Sequence, residues 1–176
     1  MDKVSVIGAG TWGTTLAILL GEKAFNVMLW ARREGLANEI DSQRENCQYL
    51  PSIKIPRNVI ATSSLKDAIQ GSGLIILAVP SLYLRKTAFH FKEFFKNQII
   101  VSGTKGMEYP SSKRMSEVLF EVLGRNAKIA VLSGPNHAEE ISMKMPTASV
   151  IASHDKRASN VVADCLRTDY FKTYQV

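Results

Sequence analysis

An apolar strand pattern that runs directly into a glycine-rich turn opens the chain. Residues 4–7 read Val-Ser-Val-Ile, and glycines follow at Gly8, Gly10 and Gly13, where an apolar helical pattern begins. This spacing, between a strand and a helix, is typical of dinucleotide binding. The first glycine allows a tight turn, the second lets a pyrophosphate approach the backbone, and the third lets the helix pack closely. The positive end of the helix dipole would then face the phosphates.

Short apolar runs alternate with helical periods along the rest of the chain. The runs are rich in β-branched residues and apolar on both faces, as in a parallel sheet covered by helices on each side. The predicted strands are 4–7, 27–30, 59–61, 74–79, 99–101, 129–132, 148–152 and 170–176, and the predicted helices are 12–22, 35–44, 65–70, 83–95, 111–123, 137–143 and 157–166. The alternation implies right-handed βαβ units. We therefore predict an α/β fold of the Rossmann type, doubly wound, with a mainly parallel sheet and helices on both faces.

Turn and capping residues mark the ends of these elements. Glycines follow three helical stretches and are expected to end them, and polar residues precede two others as candidate N-caps. The segment 49–58 contains two prolines and is expected to be an irregular loop. The expected C-cap glycines are Gly21, Gly71 and Gly124, and the expected N-caps are Ser111, Ser112 and Asn136. Without a recognisable linker, residues 1–176 are interpreted as one dinucleotide-binding domain.

Charge and composition narrow the class of ligand. The net charge of +6 suits either nucleic acid or small anions, but Lys and Arg are scattered and not interleaved with aromatic residues. This pattern favours a small phosphorylated ligand over nucleic acid. No apolar stretch approaches the roughly 20 residues of a membrane span, and no signal-peptide pattern opens the chain. Cys47 and Cys165 do not suggest a disulfide framework, so the cytoplasm is the expected compartment. No group of residues has the spacing of metal ligands, and no metal is predicted.

The residues after the second predicted strand bear on the choice of cofactor. NAD sites usually carry Asp or Glu there for the ribose hydroxyls. This chain has Arg32 and Arg33 instead, whose guanidinium groups would bind a 2′-phosphate through charge-assisted hydrogen bonds. NADP(H) is therefore favoured. NAD(H) stays open because Glu34 follows one residue later, and a merely solvated arginine pair is the alternative interpretation.

Two further strand ends carry residues suited to a substrate. Lys105 lies between Gly103 and Gly106, where its ammonium could polarise a carbonyl or meet an anion. Asn136 could cap a helix or hold a substrate oxygen with its amide. His137 is a candidate for an acid/base role, but a lone histidine at the start of a helix is more often structural. A surface lysine in a turn is the corresponding alternative for Lys105.

Taken together, these motifs resemble the N-terminal half of bacterial-type NAD(P)-dependent glycerol-3-phosphate dehydrogenase. The glycine motif is generic to dinucleotide binders, whereas the segments around Lys105 and Gly134 are specific to that family. The resemblance covers essentially the whole chain. It rests on Gly8-Ala9-Gly10-Thr11-Trp12-Gly13, Trp30-Ala31-Arg32, Asn46, Tyr49-Leu50-Pro51, Ala78-Val79-Pro80-Ser81, Lys105-Gly106-Met107-Glu108, Ser133-Gly134-Pro135 and Ala138-Glu139.

The resemblance implies roles for individual residues. Cofactor contacts are implied for Gly8, Gly10, Thr11, Trp12, Gly13, Arg32, Arg33, Tyr49, Lys105 and Ala138, and substrate contacts for Lys105, Gly134 and Asn136. Many relatives carry Ser or Thr in place of Asn136. The family continues into a helical domain that supplies the catalytic lysine, as proton acceptor, and the groups that bind the substrate phosphate. No catalytic residue is therefore expected before Val176, and the full-length enzyme could form a homodimer.

The implied activity is the interconversion of sn-glycerol 3-phosphate and dihydroxyacetone phosphate with NAD(P)(H), for glycerophospholipid synthesis. Residues 1–176 alone are expected to bind the cofactor but to be inactive. Two alternatives stay open. One is another two-domain NADP-dependent reductase, acting on ketopantoate or a hydroxyacid. The other is a non-catalytic module that binds NAD(P)(H).

Overall fold

Eight strands of the chain form one central sheet. The computed structural model describes residues 2–176. Its strands are β1 (Lys3–Ile7), β2 (Asn26–Trp30), β3 (Glu45–Asn46), β4 (Leu50–Lys54), β5 (Val59–Thr62), β6 (Leu74–Leu77), β7 (Ile99–Ser102), β8 (Ile129–Ser133), β9 (Thr147–Ser153) and β10 (Phe171–Gln175). Its α-helices are α1 (Thr11–Glu22), α2 (Glu34–Gln43), α3 (Leu65–Ile69), α4 (Ser81–Phe91), α5 (Met115–Leu123), α6 (Ala138–Ser142) and α7 (Lys156–Leu166), with a 3-10 turn at Lys92–Phe94.

The strand order of the main sheet is β10-β9-β8-β7-β6-β1-β2-β5. The chain proceeds from β1 outward to β5, then returns to β6 beside β1 and continues toward the other edge. Neighbouring strands are parallel except for β8 and β9. The order therefore reverses between β1 and β6, and ligands of such sheets bind outside the strand ends at this point. The predicted doubly wound, mainly parallel α/β fold is confirmed.

Apolar side chains fill both faces of the sheet. On one face Val4 and Val6 belong to a cluster that includes Leu16 of α1. On the other face Ile7 belongs to a cluster that includes Phe91 of α4 and Leu119 of α5. Successive residues of β1 thus serve opposite cores, because side chains alternate across a strand. Burial on both sides also explains why β6 is apolar at every position.

The second half of the sheet and the segment after α2 differ from the predictions. β9 runs antiparallel to β8, with Leu132 opposite Ile151, although the sequence pattern predicted a parallel strand. The segment 49–58 is not wholly irregular, because β4 pairs antiparallel with β3. The hairpin has no distinctive apolar period, because β3 is two residues long and β4 is mostly exposed.

Three predictions of helix ends were wrong. Helix α5 begins after Arg114, whose backbone N–H donates to the Glu117 carboxylate at 2.8 Å, so neither Ser111 nor Ser112 is its N-cap. His137 takes the N-cap position of α6 that was predicted for Asn136. Gly21 lies inside α1, where a Cβ would come within 2.7 Å of a Val59 methyl group. Close packing against β5 therefore explains this glycine.

The other two glycines do follow helices as predicted. Gly124 is the C-cap of α5, with a φ of +101°. Gly71 comes directly after Gln70, the C-cap of α3, and has a φ of +79°.

Two lysines from distant parts of the chain close helix C-termini. The Lys3 ammonium donates to the carbonyl oxygens of Asp67 (3.0 Å) and Gln70 (2.6 Å) at the end of α3. The Lys23 ammonium donates in the same way to carbonyl oxygens at the end of α7, at 2.7 and 2.6 Å. The last carbonyls of a helix lack partners within the helix, and cations are favoured beside them.

Candidate functional site

The three glycines of the first turn meet different surroundings. A Cβ at Gly8, whose φ is +120°, would come within 2.6 Å of the Ala78 carbonyl oxygen at the end of β6. A Cβ at Gly13 would come within 1.8 Å of the Gly8 carbonyl oxygen. A Cβ at Gly10 would meet nothing within 4 Å. Two of the glycines thus permit close packing of the protein itself, while Gly10 borders open space.

The N-terminus of α1 faces this open space. Gly10 is its N-cap and provides no side-chain hydrogen bond, so the first N–H groups of the helix are not covered by a capping side chain. The helix is 12 residues long and carries no acidic residue in its first turn. Backbone N–H groups together with the helix dipole make such an end an anion site. This arrangement fits the pyrophosphate of a dinucleotide.

A buried asparagine connects the β3–β4 hairpin to the glycine turn. Asn46 is fully buried, and its Nδ2 donates to the Ala9 carbonyl oxygen at 3.0 Å and to the Thr14 hydroxyl at 2.8 Å. The Thr11 hydroxyl in turn donates to the Tyr49 carbonyl oxygen at 3.0 Å. Tyr49, predicted to contact the cofactor, is thereby held beside the turn. The chemistry of the residue type did not predict this role of Asn46, which was noted only as part of a family motif.

The two arginines after β2 are exposed and adjacent to different partners. The Arg32 guanidinium lies 5.8 Å from the ring centroid of Tyr83 in α4, within the range of a cation–π contact. Arg33 is the N-cap of α2, and its guanidinium donates to the side-chain oxygen of Gln48. Tyr83 was not among the predicted site residues. It orients Arg32 at the edge of the crevice, next to the carboxyl end of β2.

A cavity of about 770 Å³ adjoins the glycine turn and extends along β8. It brings together side chains from α1, the segment after β7 and the segment after β8. The Lys105 ammonium donates to the Asn136 carbonyl oxygen at 3.2 Å. The lining of the cavity includes Trp12, Ser102, Lys105, Gly134 and Asn136. The structure therefore places the predicted substrate residues beside Trp12, one of the predicted cofactor residues.

Two buried polar atoms in this cavity have no partner. Trp12 Nε1 and Ser102 Oγ form no hydrogen bond with any atom of residues 2–176. A Cβ at Gly103 would lie 3.1 Å from Trp12 Nε1, so glycine at this position avoids a tight contact with that nitrogen. Buried polar groups without partners are costly and uncommon. A ligand carrying a hydrogen-bonding amide, such as nicotinamide, fits these atoms. Ser102 was missed because nothing in its sequence context separates it from a structural serine.

The side chain of Asn136 is engaged within the protein. Its Nδ2 donates to the Ala148 carbonyl oxygen at 2.9 Å, and its Oδ1 accepts from the Ser149 hydroxyl at 2.6 Å. A Cβ at Gly134 would come within 2.8 Å of this Oδ1. Asn136 thus joins the ends of β8 and β9, and its backbone oxygen contacts Lys105. Its contact with substrate stays a prediction.

The start of α6 lies against α1. Ala138 is buried, and its carbonyl oxygen accepts from the Thr15 hydroxyl at 3.2 Å. This contact holds Ala138 against α1, and its contact with the cofactor stays a prediction. His137, the exposed N-cap residue, makes no side-chain capping hydrogen bond.

A network of charged side chains surrounds the segment that follows Lys105. Arg85 of α4 donates to both carboxylate oxygens of Glu108, at 2.6 and 2.9 Å, and the Ser111 hydroxyl donates to the same carboxylate at 2.6 Å. These hydrogen bonds, those from Arg85 above all, lower the pKa of Glu108 to about 2. Arg85 also donates to Glu121 at 2.7 Å, and Lys113 pairs with Glu121.

Residues 2–176 carry neither a cluster of metal-ligand side chains nor a membrane-spanning helix. In this range no group of three or more His, Cys, Asp or Glu side chains is placed to hold a metal ion. None of the helices found there is long and apolar enough to cross a membrane. Both cysteines are free; Cys47 is exposed and Cys165 is buried.

Comparison with known proteins identifies relatives over the whole chain. Residues 3–159 match the family described as NAD-dependent glycerol-3-phosphate dehydrogenase N-terminus. The NAD(P)+ glycerol-3-phosphate dehydrogenase of Chlorobium phaeobacteroides is 44% identical over 175 residues, which are 98% of this chain and 53% of that protein. The Moorella thermoacetica enzyme of the same name is 42% identical over 174 residues, covering 98% of this chain and 51% of the relative.

A solved structure supports the same relationship. The crystal structure of glycerol-3-phosphate dehydrogenase from Coxiella burnetii superposes with a TM-score of 0.95 at 31% identity, covering 99% of this chain and 54% of the other. The chain thus spans about half the length of the relatives that it matches.

Proposed function

We propose that this chain, which belongs to the NAD-dependent glycerol-3-phosphate dehydrogenase family, forms the dinucleotide-binding domain of an enzyme that interconverts sn-glycerol 3-phosphate and dihydroxyacetone phosphate. The observation that carries the proposal is the open space at Gly10, which faces the uncapped N-terminus of α1 beside the Lys105 cavity. An N–H-lined helix end next to a polar cavity suits a ligand with a pyrophosphate at its centre and a reactive ring at one end.

The residues around this space would bind different parts of the cofactor. The pyrophosphate would lie against Gly10 and the first turn of α1, with the adenosine ribose toward Arg32. The nicotinamide would enter the cavity, where Trp12 Nε1 and Ser102 Oγ are available for hydrogen bonds. When bound, the cofactor supplies the hydride, while the protein supplies orientation and electrostatics.

Lys105 would act on the substrate. Its ammonium lies in the cavity and is held by the Asn136 carbonyl oxygen. A positive charge at this position would stabilise negative charge on the C2 oxygen of dihydroxyacetone phosphate as the carbonyl is reduced. Gly134 and Asn136 would line the substrate site on the side of β8.

We propose NADP(H) as the favoured cofactor, with NAD(H) as the second. The support is Arg32, which is exposed at the end of β2 and oriented by the Tyr83 ring. A guanidinium there attracts a 2′-phosphate, whereas an NAD-preferring site places a carboxylate near the ribose.

The other properties of the full enzyme are also proposals, because the relatives are about twice as long as this chain. We expect the proton-accepting lysine and the groups that bind the substrate phosphate to lie in sequence beyond Val176, in a helical domain. Homodimerisation would belong to that full-length protein. A phosphorylated substrate and glycerophospholipid synthesis are consistent with the cytoplasm as its compartment.

Substitution of Gly10 by Ala tests cofactor binding directly. Because a Cβ at Gly10 would meet no protein atom, the variant should fold normally, with a free energy of unfolding within about 1 kcal/mol of the parent. The methyl group would instead occupy ligand space and should weaken NADH and NADPH binding at least about tenfold, a loss of about 1.4 kcal/mol. Titration with nicotinamide fluorescence measures both affinities.

Gly35→Ala is the matched control, since a Cβ at Gly35 also meets nothing within 4 Å and lies in α2. It should leave both affinities unchanged. Equal affinities for the parent and Gly10→Ala would contradict the proposed position of the pyrophosphate.

The substrate is tested with the full-length enzyme. Reduction of dihydroxyacetone phosphate, with no turnover of ketopantoate or of 2-oxo acids, is the expected result. Turnover of ketopantoate instead would reject the proposed substrate while leaving the cofactor site intact.

A further inference from the structure

We infer that the Arg85–Glu108 ion pair is a positioning device for Lys105, holding its ammonium at the mouth of the cavity. The inference deepens the proposed function and rests on it for the role of Lys105. Arg85 belongs to α4 and Glu108 to the segment after β7, so the pair joins two elements that the sequence separates by 23 residues.

The segment before Lys105 is fixed by the sheet. The backbone N–H of Gly103 donates to the Leu77 carbonyl oxygen at 2.9 Å, which extends the pairing of β6 and β7 by one residue. The Thr104 hydroxyl approaches the same oxygen at 3.4 Å. Lys105 therefore enters the loop from a rigid base, but this anchoring acts only on its N-terminal side.

The segment after Lys105 has no sheet to hold it and depends on Glu108. Gly106 has a φ of +93°, in the left-handed region, so the chain turns immediately after Lys105. The Glu108 backbone accepts from the Ser112 N–H at 2.8 Å and donates to the Lys113 carbonyl oxygen at 2.9 Å, which closes a compact loop. The only residue outside this loop that hydrogen-bonds to the Glu108 carboxylate, among those described by the structure, is Arg85.

The geometry of the pair suits positioning better than charge neutralisation alone. Arg85 presents Nε and Nη2 to the two oxygens of Glu108 at 2.6 and 2.9 Å, a bidentate arrangement that fixes direction as well as distance. Nη2 also donates to Glu121 of α5 at 2.7 Å, so the guanidinium is held from a second side. The Glu108 side chain is only 15% exposed, which limits competition from water.

Removal of the pair should release Lys105 without opening the glycine turn. Lys105 would keep its covalent place but lose the fixed orientation in which its ammonium donates to the Asn136 carbonyl oxygen. Its amine should then react faster with an acylating reagent. The chain is treated with acetic anhydride at less than one modification per chain. Peptide mass spectrometry then gives the acylation rate of each lysine separately.

The test compares Glu108→Gln and Arg85→Met with the parent chain. Lys105 should be acylated about fivefold faster in both variants, the size expected from loss of one hydrogen bond. The rates of Lys3 and Lys23, which cap distant helices, should stay at the parental values and so report that the fold is native. Asp41→Asn, which breaks a surface ion pair with Arg44 near the end of α2, is the control and should change none of these rates.

A charge-reversed variant, Arg85→Glu/Glu108→Arg, provides a rescue when Glu121→Gln is added, because Glu121 would otherwise repel the new carboxylate at position 85. It should return the Lys105 rate to within about twofold of the parent, because opposite charges again meet across the loop. If Glu108→Gln does not fold, Arg85→Lys serves in its place: it keeps the charge, loses the bidentate fork and should give an intermediate rate. An unchanged Lys105 rate in a folded single variant overturns the inference.

A titration with NADPH and NADH separates this inference from the proposed function. The variants should bind both nucleotides within about threefold of the parent, because Gly10 and α1 are untouched. If the parent itself binds neither nucleotide, the proposed function fails, yet the acylation rates still decide whether the ion pair positions Lys105.

Discussion

The carbonyl oxygen of Gly8 occupies the place where a side chain at Gly13 would begin, since a Cβ built there lies 1.8 Å from it. This contact brings the first turn of α1 against the end of β1. It also brings the amino end of the helix to the ligand side of the sheet. The third glycine of the motif is therefore required by the protein's own packing.

Gly13→Ala should consequently destabilise the domain. The methyl group cannot be accommodated unless α1 moves away from β1, and overpacking of this kind costs about 1–3 kcal/mol, occasionally more. Urea unfolding followed by circular dichroism measures the loss. Gly35→Ala, in open space on α2, should instead be neutral or slightly stabilising. Equal stability of the two variants would contradict the steric argument.

Arg32→Ala should weaken the binding of NADPH more than the binding of NADH. A guanidinium that binds the 2′-phosphate contributes a charge-assisted hydrogen bond, so we expect a loss of about tenfold or more for NADPH and a smaller one for NADH. Fluorescence titration with each nucleotide measures the ratio. Arg125→Ala removes an exposed arginine after α5 and should change neither affinity. Equal losses for the two nucleotides would show that Arg32 does not contact the 2′-phosphate.

Tyr83→Leu should reproduce part of the Arg32 effect. The ring lies 5.8 Å from the Arg32 guanidinium, and an exposed cation–π contact is worth about 0.5–1 kcal/mol. Without the ring, Arg32 would sample more orientations, and NADPH affinity should fall about two- to fivefold. In the Arg32→Ala background the same substitution should have no further effect on NADPH selectivity. Additive losses would instead indicate that Tyr83 acts independently of Arg32.

Asn46→Ala should loosen the β3–β4 hairpin. The variant leaves the buried Ala9 carbonyl and the Thr14 hydroxyl without the amide that now donates to them. The cost of such a loss is about 1–3 kcal/mol. Hydrogen exchange should show faster opening around residues 45–54, with weaker dinucleotide binding. Ser42→Ala, which loses only an exposed hydrogen bond to the Glu39 carbonyl, is the control. Unchanged exchange in Asn46→Ala would refute the role of this side chain.

The Glu108 carboxylate should make the free energy of unfolding depend on pH. Its pKa is about 2 in the folded protein, below the ordinary value of 4.5, because Arg85 and Ser111 donate to the charged form. Such a group stabilises the folded state above pH 4.5, and this contribution is lost as the pH falls from 4.5 toward 2. Urea unfolding across this range should show a steeper decline for the parent than for Glu108→Gln. Parallel curves would contradict the depressed pKa.

The apolar periodicity of the chain predicts most of the fold. Strand β6 is a continuous apolar run because it is buried on both faces, and the glycine turn between β1 and α1 follows from its spacing. The direction of β9 could not be predicted, because its buried position 149 carries serine and its exposed position 150 carries valine, so the apolar alternation of a one-sided strand is absent from the sequence. The β3–β4 hairpin was missed because its residues are short in extent or exposed.

The candidate site divides in a similar way. Residues whose type carries the chemistry, such as Lys105 and Arg32, were identified from the sequence and lie at the strand ends where they were expected. The supporting residues Asn46, Tyr83 and Arg85 were not identified, because their roles depend on partners that are distant in sequence. Asn136 was assigned a capping role that its environment does not allow, since β9 provides its partners.

The lysines at the C-termini of helices α3 and α7 reduce the share of the positive charge that is available to ligands. Lys3 and Lys23 direct their ammonium groups at backbone carbonyls, so part of the formal charge of +6 faces internal dipoles of opposite sign. The net charge counted from composition therefore overstates how strongly this protein would attract a polyanion. Acetylation of either amine would remove a positive charge from a helix C-terminus, so its first effect would fall on the helix end and not on a nucleotide contact.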